Sequence, residues 1–382
     1  MHKRTYKYRI YPTRKQQQAM NTMLDECHWL YNHLLEERQA LWEEHGESTS
    51  LYHQIDSFRA LKEERPSLKD VHSQVLQNVA VRLDLAFKAF FRRVKNGEDP
   101  GYPRFRGKFR YDSFTYPQWG NGCKIENGRL YLSKIGHVKI ILHRPFTGTP
   151  KTGTVRRTPT GKWFVTISCE VEAQPLPSQD VEATVGIDVG LESFATLSTG
   201  EKIENPRFFR QEEKELAKAQ RRFAKTEKGT PERQKRRKVV ARVHERITNK
   251  RHDFIHQHSH RIVERFAVIA VEDLHTNRMV HNHCLAKSIH DAAWSEFFSA
   301  LTYKAAYAGR QFVAVNPAYT SQDCHRCGHR QAKTLSERTH RCPCCGLVLD
   351  RDHNAALNIW RLGLQSLRTH SVEAAGFLIP AE

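Results

Sequence analysis

At 382 residues the chain is longer than one hydrophobic core usually organises, which points to several domains and excludes a disulfide-stapled mini-protein. Lys and Arg number 61 against 42 Asp and Glu, and the net charge of +19 implies a polyanionic partner. No apolar run approaches the ~20 residues that cross a bilayer, and the basic start MHKRTYKYRIYP lacks the apolar stretch of a signal peptide. A cytoplasmic or other reducing setting without a membrane partner is therefore expected. Five of the nine cysteines fall between Cys324 and Cys345, and in such a compartment they read as metal ligands before disulfides.

Residues 3–11 alternate basic with aromatic or aliphatic side chains, the pattern of a strand with one wet basic face. From Thr13 to about Val94 the period becomes helical, first through Met20, Met23, Leu24, Cys27, Leu30, Tyr31, Leu34 and Leu35. A second series runs from Val71 through Leu76, Val79, Leu83, Phe87 and Phe91. Pro100, Gly101, Pro103 and Gly107 end the helices. In the loop-and-strand segment that follows, Arg104, Phe105 and Arg106 alternate cation and aromatic, a pattern that clamps phosphates and stacks on bases. An edge strand with a solvated face explains the same residues equally well. RLYLSKI, HVKIIL, GTVRRTP and KWFVTISCEVE read as further strands of a small barrel or sandwich, with the helices inserted after its first strand. AQPLPSQD (173–180) reads as a linker.

ATVGIDVG, SFATLSTG, FAVIAVED and QFVAVNP then alternate with helical stretches, as in an α/β domain. Between the second and third of them lies a long helical segment, 207–266, expected to form two antiparallel helices that break near Gly229 and Pro231. From Arg207 to Arg251 there are 17 Lys and Arg against 6 Asp and Glu, which marks Arg236, Arg237 and Lys238 as candidates for phosphate contact.

Cys324-x2-Cys327 and Cys342-x2-Cys345 stand fourteen residues apart, the arrangement of two knuckles around one zinc ion. Cys344, His325, His329 and His340 are substitutes for the fourth ligand. Asp188 sits in an apolar strand between two glycines, Glu272 ends the run VIAV, and Asp350 and Asp352 stand before the helix NAALNIW. Three carboxylates converging from such positions would hold two divalent cations ~4 Å apart for phosphodiester hydrolysis. Turn, loop-start and helix-cap roles are the alternatives for Asp188, Glu272 and Asp352 respectively.

GIDVG, AVEDLH, the double knuckle and DRDHNAALNI occur in the order seen in TnpB, the transposon-associated RNA-guided nuclease family ancestral to type V CRISPR effectors. YRIYPT, LYNHLL, PRFR (103–106) and DAAWSEFF (291–298) extend the resemblance over nearly the whole chain. The resemblance implies a multidomain fold of α/β plus β-barrel type. A wedge-like β-barrel would occupy 1–11 and 100–178, with an inserted helical recognition domain at 12–99. A RuvC-like nuclease domain of RNase H fold would occupy 179–316 and 349–382, with an inserted zinc ribbon at 317–348. It also implies the acidic triad Asp188, Glu272 and Asp352, carrying two catalytic magnesium ions, and a structural zinc on Cys324, Cys327, Cys342 and Cys345. The partners it implies are a guide RNA from the transposon end and double-stranded target DNA bearing a short adjacent motif. Two competing readings are a catalytically inactive RNA-guided DNA-binding repressor, disfavoured by the intact triad, and a DNA transposase, which would leave the guide-binding layout of the first half idle.

Overall fold

The structure, a computed structural model, describes residues 2–172, 182–334 and 337–376, and divides into two compact units, Met1–Glu172 and Ala173–Glu382. The linker expected at 173–180 lies outside the described residues. No described helix is long and apolar enough to cross a membrane.

In the first unit, β1 (His2–Tyr11) buries Tyr6, Tyr8 and Ile10 and turns Lys7 and Arg9 outward, both over the Phe164 ring, at 4.6 and 5.0 Å. The period-two pattern has thus sorted one apolar from one basic face. β1 lies at the centre of a seven-stranded antiparallel sheet completed by β2 (Ser113–Tyr116), β3 (Cys123–Glu126), β4 (Arg129–Leu132), β5 (Gly136–Ile141), β6 (Thr149–Arg157) and β7 (Trp163–Val171), in the order β2-β6-β7-β1-β5-β4-β3. The two edge strands are consecutive in the chain, and the Tyr116 phenol on β2 donates to the Ser133 carbonyl just past β4 at 3.0 Å. The sheet therefore curls nearly closed, which hides edges that would otherwise remain unpaired. Inside it, the phenols of Tyr6 and Tyr8 are satisfied by Thr147 Oγ1 at 2.7 Å and the Arg144 carbonyl at 3.1 Å.

Between β1 and β2 come α1 (Arg14–His45), α2 (Leu51–Asp56), α3 (Phe58–Glu64) and α4 (Ser73–Lys95). Thr13 and Gln16 form a reciprocal capping box at the start of α1, and Gly46, at φ +66°, ends it. The apolar series read from the sequence supplies the buried faces of α1 and α4, which pack together, except that Phe91 stands exposed and Val71 is buried just ahead of α4. Arg82 ties α4 to β2 through the Ser113 carbonyl at 2.8 Å and Thr115 Oγ1 at 2.7 Å.

The second unit contains β8 (Glu182–Val189), β9 (Ser193–Leu197), β10 (Lys202–Glu204), α5 (Phe208–Ala224), α6 (Pro231–Arg265), β11 (Phe266–Glu272), α7 (Thr276–Met279), α8 (His283–Ala292), α9 (Trp294–Tyr307), β12 (Gln311–Val315), β13 (Thr339–Arg341), β14 (Val348–Asp350) and α10 (Arg351–Gly376). Its main sheet runs β10-β9-β8-β11-β12, with β8, β11 and β12 parallel and β9 and β10 folded back antiparallel. The basic segment breaks where expected: Gly229 takes φ +89°, Thr230 caps α6 and Pro231 opens it.

Side-chain parity decides what each face of this sheet meets. Val185, Ile187, Ile269 and Val271 join a core with Ile255, Ile262 and Val263 of α6 and Phe297 and Leu301 of α9. The intervening residues, Gly186 and Ala270, face α10. A methyl group on Gly186 would meet the Ala356 carbonyl oxygen at 2.2 Å and the Trp360 nitrogen at 2.4 Å. Backbone cannot yield as a side-chain tip can. Gly186→Ala is expected to destabilise the protein by about 1–3 kcal/mol, the usual cost of overpacking. Gly107→Ala, where nothing lies within 4 Å, is expected to be near neutral, and denaturant titration of both variants checks the contrast.

Candidate active site

Asp188 follows Gly186 by two strand residues and Glu272 follows Ala270 by two, so both carboxylates stand on the face that α10 covers. The parallel register aligns Ile187 with Val271, which sets the two acids level at the ends of neighbouring strands. Asp352 lies one helical turn before Ala356, whose carbonyl touches Gly186, and so joins them. Burial, and then the charges of Glu272 and Asp352, push the Asp188 carboxyl well above the usual carboxylate range, against the pull of Arg351. Burial also raises Glu272, opposed by the hydrogen bond that Thr320 Oγ1 donates to Glu272 Oε1 at 2.5 Å.

Asp350 and Asp352 part company here. Asp350 Oδ1 accepts the backbone N–H groups of Asp352 and His353 at 3.1 and 3.0 Å, and Oδ2 pairs with Lys202 at 2.7 Å. Burial works to raise Asp350, but Lys202 and these amides outweigh it and hold the carboxyl low. The helix cap considered for Asp352 therefore belongs to Asp350. Asp352 points instead to Arg351, at 3.1 Å.

The cysteines converge more tightly. Cys324, Cys327, Cys342 and Cys345 bring their sulfurs within 4.8 Å of one another, the one group of three or more such side chains among the described residues placed to share a metal ion; Asp188, Glu272 and Asp352 are not drawn together to that degree. Separations of 3.6 Å for Cys324–Cys345 and 3.5 Å for Cys327–Cys342 approach the ~3.8 Å edge of a tetrahedron with metal–sulfur bonds of ~2.3 Å. Both knuckles fold alike. Cys324 N–H donates to the His329 carbonyl and Gly328 N–H to that of Cys324, each at 2.9 Å. Cys342 with Leu347, and Gly346 with Cys342, repeat the pattern at 2.9 and 3.0 Å. Gly328 and Gly346 supply the positive φ that closes each turn. Amides of Cys345 and Cys344 pull the Cys342 thiol down, while at Cys327 the pull of the His329 amide is outweighed by burial and the neighbouring sulfurs, which hold the thiol up, so the four sulfurs compete for protons in the absence of a cation. Cys344 is exposed and outside the cluster, and His325, His329 and His340 are not in it, which removes the substitutes for the fourth position.

Three family models match the chain, described as "Probable transposase" over residues 166–283, "Cas12f1-like, TNB domain" over 294–359 and "Helix-turn-helix domain" over 1–47. The last of these covers β1 and the single long helix α1. A "Putative RNA-guided DNA endonuclease" of Streptomyces pristinaespiralis is 38% identical over 380 residues, covering 95% of this chain and 90% of that one. "Putative RNA-guided DNA endonuclease InsQ" of Escherichia coli K12 is 32% identical over 395 residues, covering 98% and 94%. The chain belongs to the TnpB family. Among solved structures, a Cas12f1–sgRNA–target DNA complex superposes with a TM-score of 0.57 at 15% identity, over 91% of this chain and 83% of that one, a likeness of fold.

Elsewhere in this TnpB-family chain, the PRFR residues form an irregular loop, which overturns the edge-strand alternative. Arg106 is anchored to α1: its N–H donates to Asn32 Oδ1 at 2.8 Å, and its carbonyl lies 2.6 Å from His28 Nε2 and accepts from Asn32 Nδ2 at 3.0 Å. Arg104 and Phe105 project into solvent, the ring 53% exposed. On α6, Arg236 pairs with Glu232 at 2.7 Å, while Arg237 and Lys238 are exposed.

Several residues that order the site escaped the sequence reading. Thr320, Asn354 and Asn358 are buried and tie the first knuckle to α10. Asn354 and Asn358 stand in DRDHNAALNI four residues apart, one helical turn, and that spacing was the available signal. Asp291, in DAAWSEFF, takes the Phe209 N–H with both oxygens, at 2.9 and 3.0 Å, and Arg251 at 3.1 Å, which fixes the start of α5.

Proposed function

We propose that this chain is the RNA-guided DNA endonuclease of an insertion-sequence transposon, cutting guide-matched DNA at one carboxylate site formed by Asp188, Glu272 and Asp352. The observation that carries the reading is the meeting of three acids, two from parallel strands and one from the helix that covers them, in a chain of net charge +19. Asp350 and Asp291 are each met by backbone amide contacts together with a cation, whereas Asp352 has Arg351 and Glu272 has the Thr320 hydroxyl. Asp188 instead faces two further carboxylates, and hard oxygen donors crowded in this way fit magnesium. Two magnesium ions held there would supply an activated water and neutralise the leaving oxygen of the phosphodiester. The chain's own part is to hold the carboxylates level at the strand ends and to keep Asp350 engaged elsewhere. This site we assign to a RuvC-like domain of RNase H fold at 179–316 and 349–382, interrupted at 317–348 by a zinc ribbon held by Cys324, Cys327, Cys342 and Cys345. The wedge-like domain is assigned to 1–11 and 100–178, with the nearly closed sheet β1–β7 inside it, and the recognition helices to 12–99. Guide RNA and target DNA are bound by basic surface, with Arg104, Phe105, Arg106, Arg236, Arg237 and Lys238 among the contacts.

Purification from cells that carry the native flanking transposon, followed by sequencing of co-purified RNA, tests the guide. With that guide, Asp188→Ala, Glu272→Ala and Asp352→Ala are each expected to abolish magnesium-dependent cleavage while guided DNA binding stays near that of the unaltered protein. Asp350→Ala is expected to keep cutting and to lose about 1 kcal/mol of stability with its helix cap. An active Glu272→Ala protein would remove that residue from the site.

Zinc makes a separate prediction, because thiolate ligation couples folding of residues 320–347 to the metal. Elemental analysis should find one zinc per chain, lost on Cys345→Ser and retained on Cys344→Ser. The charge makes another: reversing Arg236, Arg237 and Lys238 to Glu should weaken guide binding and flatten the slope of log affinity against log salt by about 2, since each phosphate contact contributes ~0.7–0.9. An unchanged slope would show that this face contacts no nucleic acid.

A further inference from the structure

The carboxylate face and the cysteine knuckle meet at one hydroxyl. Glu272 is the last residue of β11, paired in register with Val315 at the end of β12, and Asp273 N–H closes the strand end on the Val315 carbonyl at 2.8 Å. Strand pairing fixes the backbone of the glutamate but not its three rotatable side-chain bonds, whose immobilisation carries an entropic cost. Thr320, five residues past Val315 and 4% exposed, supplies the missing restraint through its 2.5 Å bond to Glu272 Oε1. Its oxygen also lies 3.2 Å from the Pro317 carbonyl, but a hydroxyl has a single hydrogen, and the nearer, charged acceptor takes it. Glu272 Oε2 is left for a cation.

Thr320 is itself held from the other side. Asn358 Nδ2 donates to the Thr320 carbonyl and to the Asp323 carbonyl, both at 2.8 Å. Asn354 Nδ2 reaches the same Asp323 carbonyl at 2.8 Å, and Asn354 Oδ1 accepts the His325 N–H at 3.0 Å. The two asparagines, 0% and 2% exposed, lie one turn apart on α10, downstream of Asp352 on the same helix. A buried amide is costly unless bonded, so the pair fastens the stretch from Thr320 to His325, with the ligand Cys324 inside it, onto that helix.

We propose that Thr320 is a positioning residue for Glu272, presented by the backbone of the first cysteine knuckle, so that the knuckle sets the geometry of the carboxylate site. The proposal rests on the reading of Glu272 as a cation-binding carboxylate. It requires that the hydroxyl, rather than the bulk of the threonine, governs cation affinity, and that its loss leaves the knuckle intact.

The test compares Thr320→Val, which keeps the shape and removes the donor, with Thr320→Ser, which keeps the donor. Manganese binding is measured on the full guide-free chain from the electron-paramagnetic-resonance signal of the free ion. On the guide-loaded protein, the magnesium concentration for half-maximal cleavage is separated from the rate at saturation. Thr320→Val is expected to weaken manganese binding and raise the half-saturating magnesium concentration about tenfold each, with zinc content and guided DNA binding unchanged. Thr320→Ser is expected to restore both. Unaltered cation dependence in Thr320→Val would overturn the proposal, as would a serine variant no better than the valine one, or zinc lost from Thr320→Val. Glu272→Gln serves as the reference. Wild-type manganese binding and cleavage in that variant would fail the underlying reading of Glu272, whereas weakened binding in Glu272→Gln with an unaffected Thr320→Val would fail the positioning role alone.

Discussion

The close approach of α10 to β8 and β11 is the contact on which the carboxylate site depends. Helices ordinarily stand off a sheet by the thickness of the side chains between them. Here Gly186 leaves room for the backbone of Ala356 and Trp360, and Gly363 comes so near Ala270 that a Cβ on it would lie 2.5 Å from the alanine methyl. Small residues at successive points along one helix act as a socket, and the van der Waals contact they allow replaces the burial that larger side chains would give. The consequence is chemical. An ordinary standoff would carry Asp352 away from the strand ends, and the strand pleat would then present two acids to solvent instead of three to one another.

Acids within the second unit divide by what meets them. Asp291 is buried, yet two contacts from the Phe209 amide and an arginine satisfy it, and it does structural work at the start of α5. Asp350 likewise caps α10 and pairs with Lys202. Burial first, and then the charges of Glu272 and Asp352 with a smaller push from Asp350, raise the Asp188 carboxyl against the pull of Arg351. Like charges held together in a partly dry site oppose folding, and the apolar core on the far face of the sheet must offset them. A protein tolerates such a cluster where an incoming cation relieves it.

The periodicities were legible in the sequence because they are consequences of burial. The alternation in 3–11, the two helical series before residue 95 and the apolar runs of the second unit all became the expected elements, since the first two kinds had one face to hide and the runs lie in a sheet covered on both faces. Short elements were legible only where the alternation carried on past them, as RLYLSKI does for β4. β3 and β10 have four and three residues, too few to show a period, and they exist because neighbouring strands offer them hydrogen bonds. The acids stood out as charges in apolar settings, and the cysteines by their spacing. The packing role of Gly186 was hidden, because nothing local to GIDVG shows what lies against its missing side chain. Thr320, Asn354 and Asn358 were hidden for a related reason: small polar residues are common on surfaces, and only the fold shows them buried and bonded. Cap and acid were likewise inseparable in DRD until the amide of Asp352 was seen to point at Asp350.

The place of the cysteine knuckles also follows from local physics. Each C-x2-C-G turn closes on its own backbone hydrogen bonds, so the insert asks little of the sheet beyond two fixed ends. Those ends are the exit of β12, beside Glu272, and the entry of α10, beside Asp352. Arg351 N–H, bonded to the Arg338 carbonyl at 2.8 Å, secures the return, and the Asn354–Asn358 pair secures the outward path. In open α/β sheets this is the side on which ligands gather, because strand ends and helix starts leave polar groups unpaired there. An insert anywhere else along the sheet would have to be anchored at the expense of the core. Placed here, its anchors Asn354 and Asn358 share α10 with Asp352, and Thr320 meets Glu272, so on the reading proposed above the folding of the knuckles and the geometry of the carboxylates become a single structural problem.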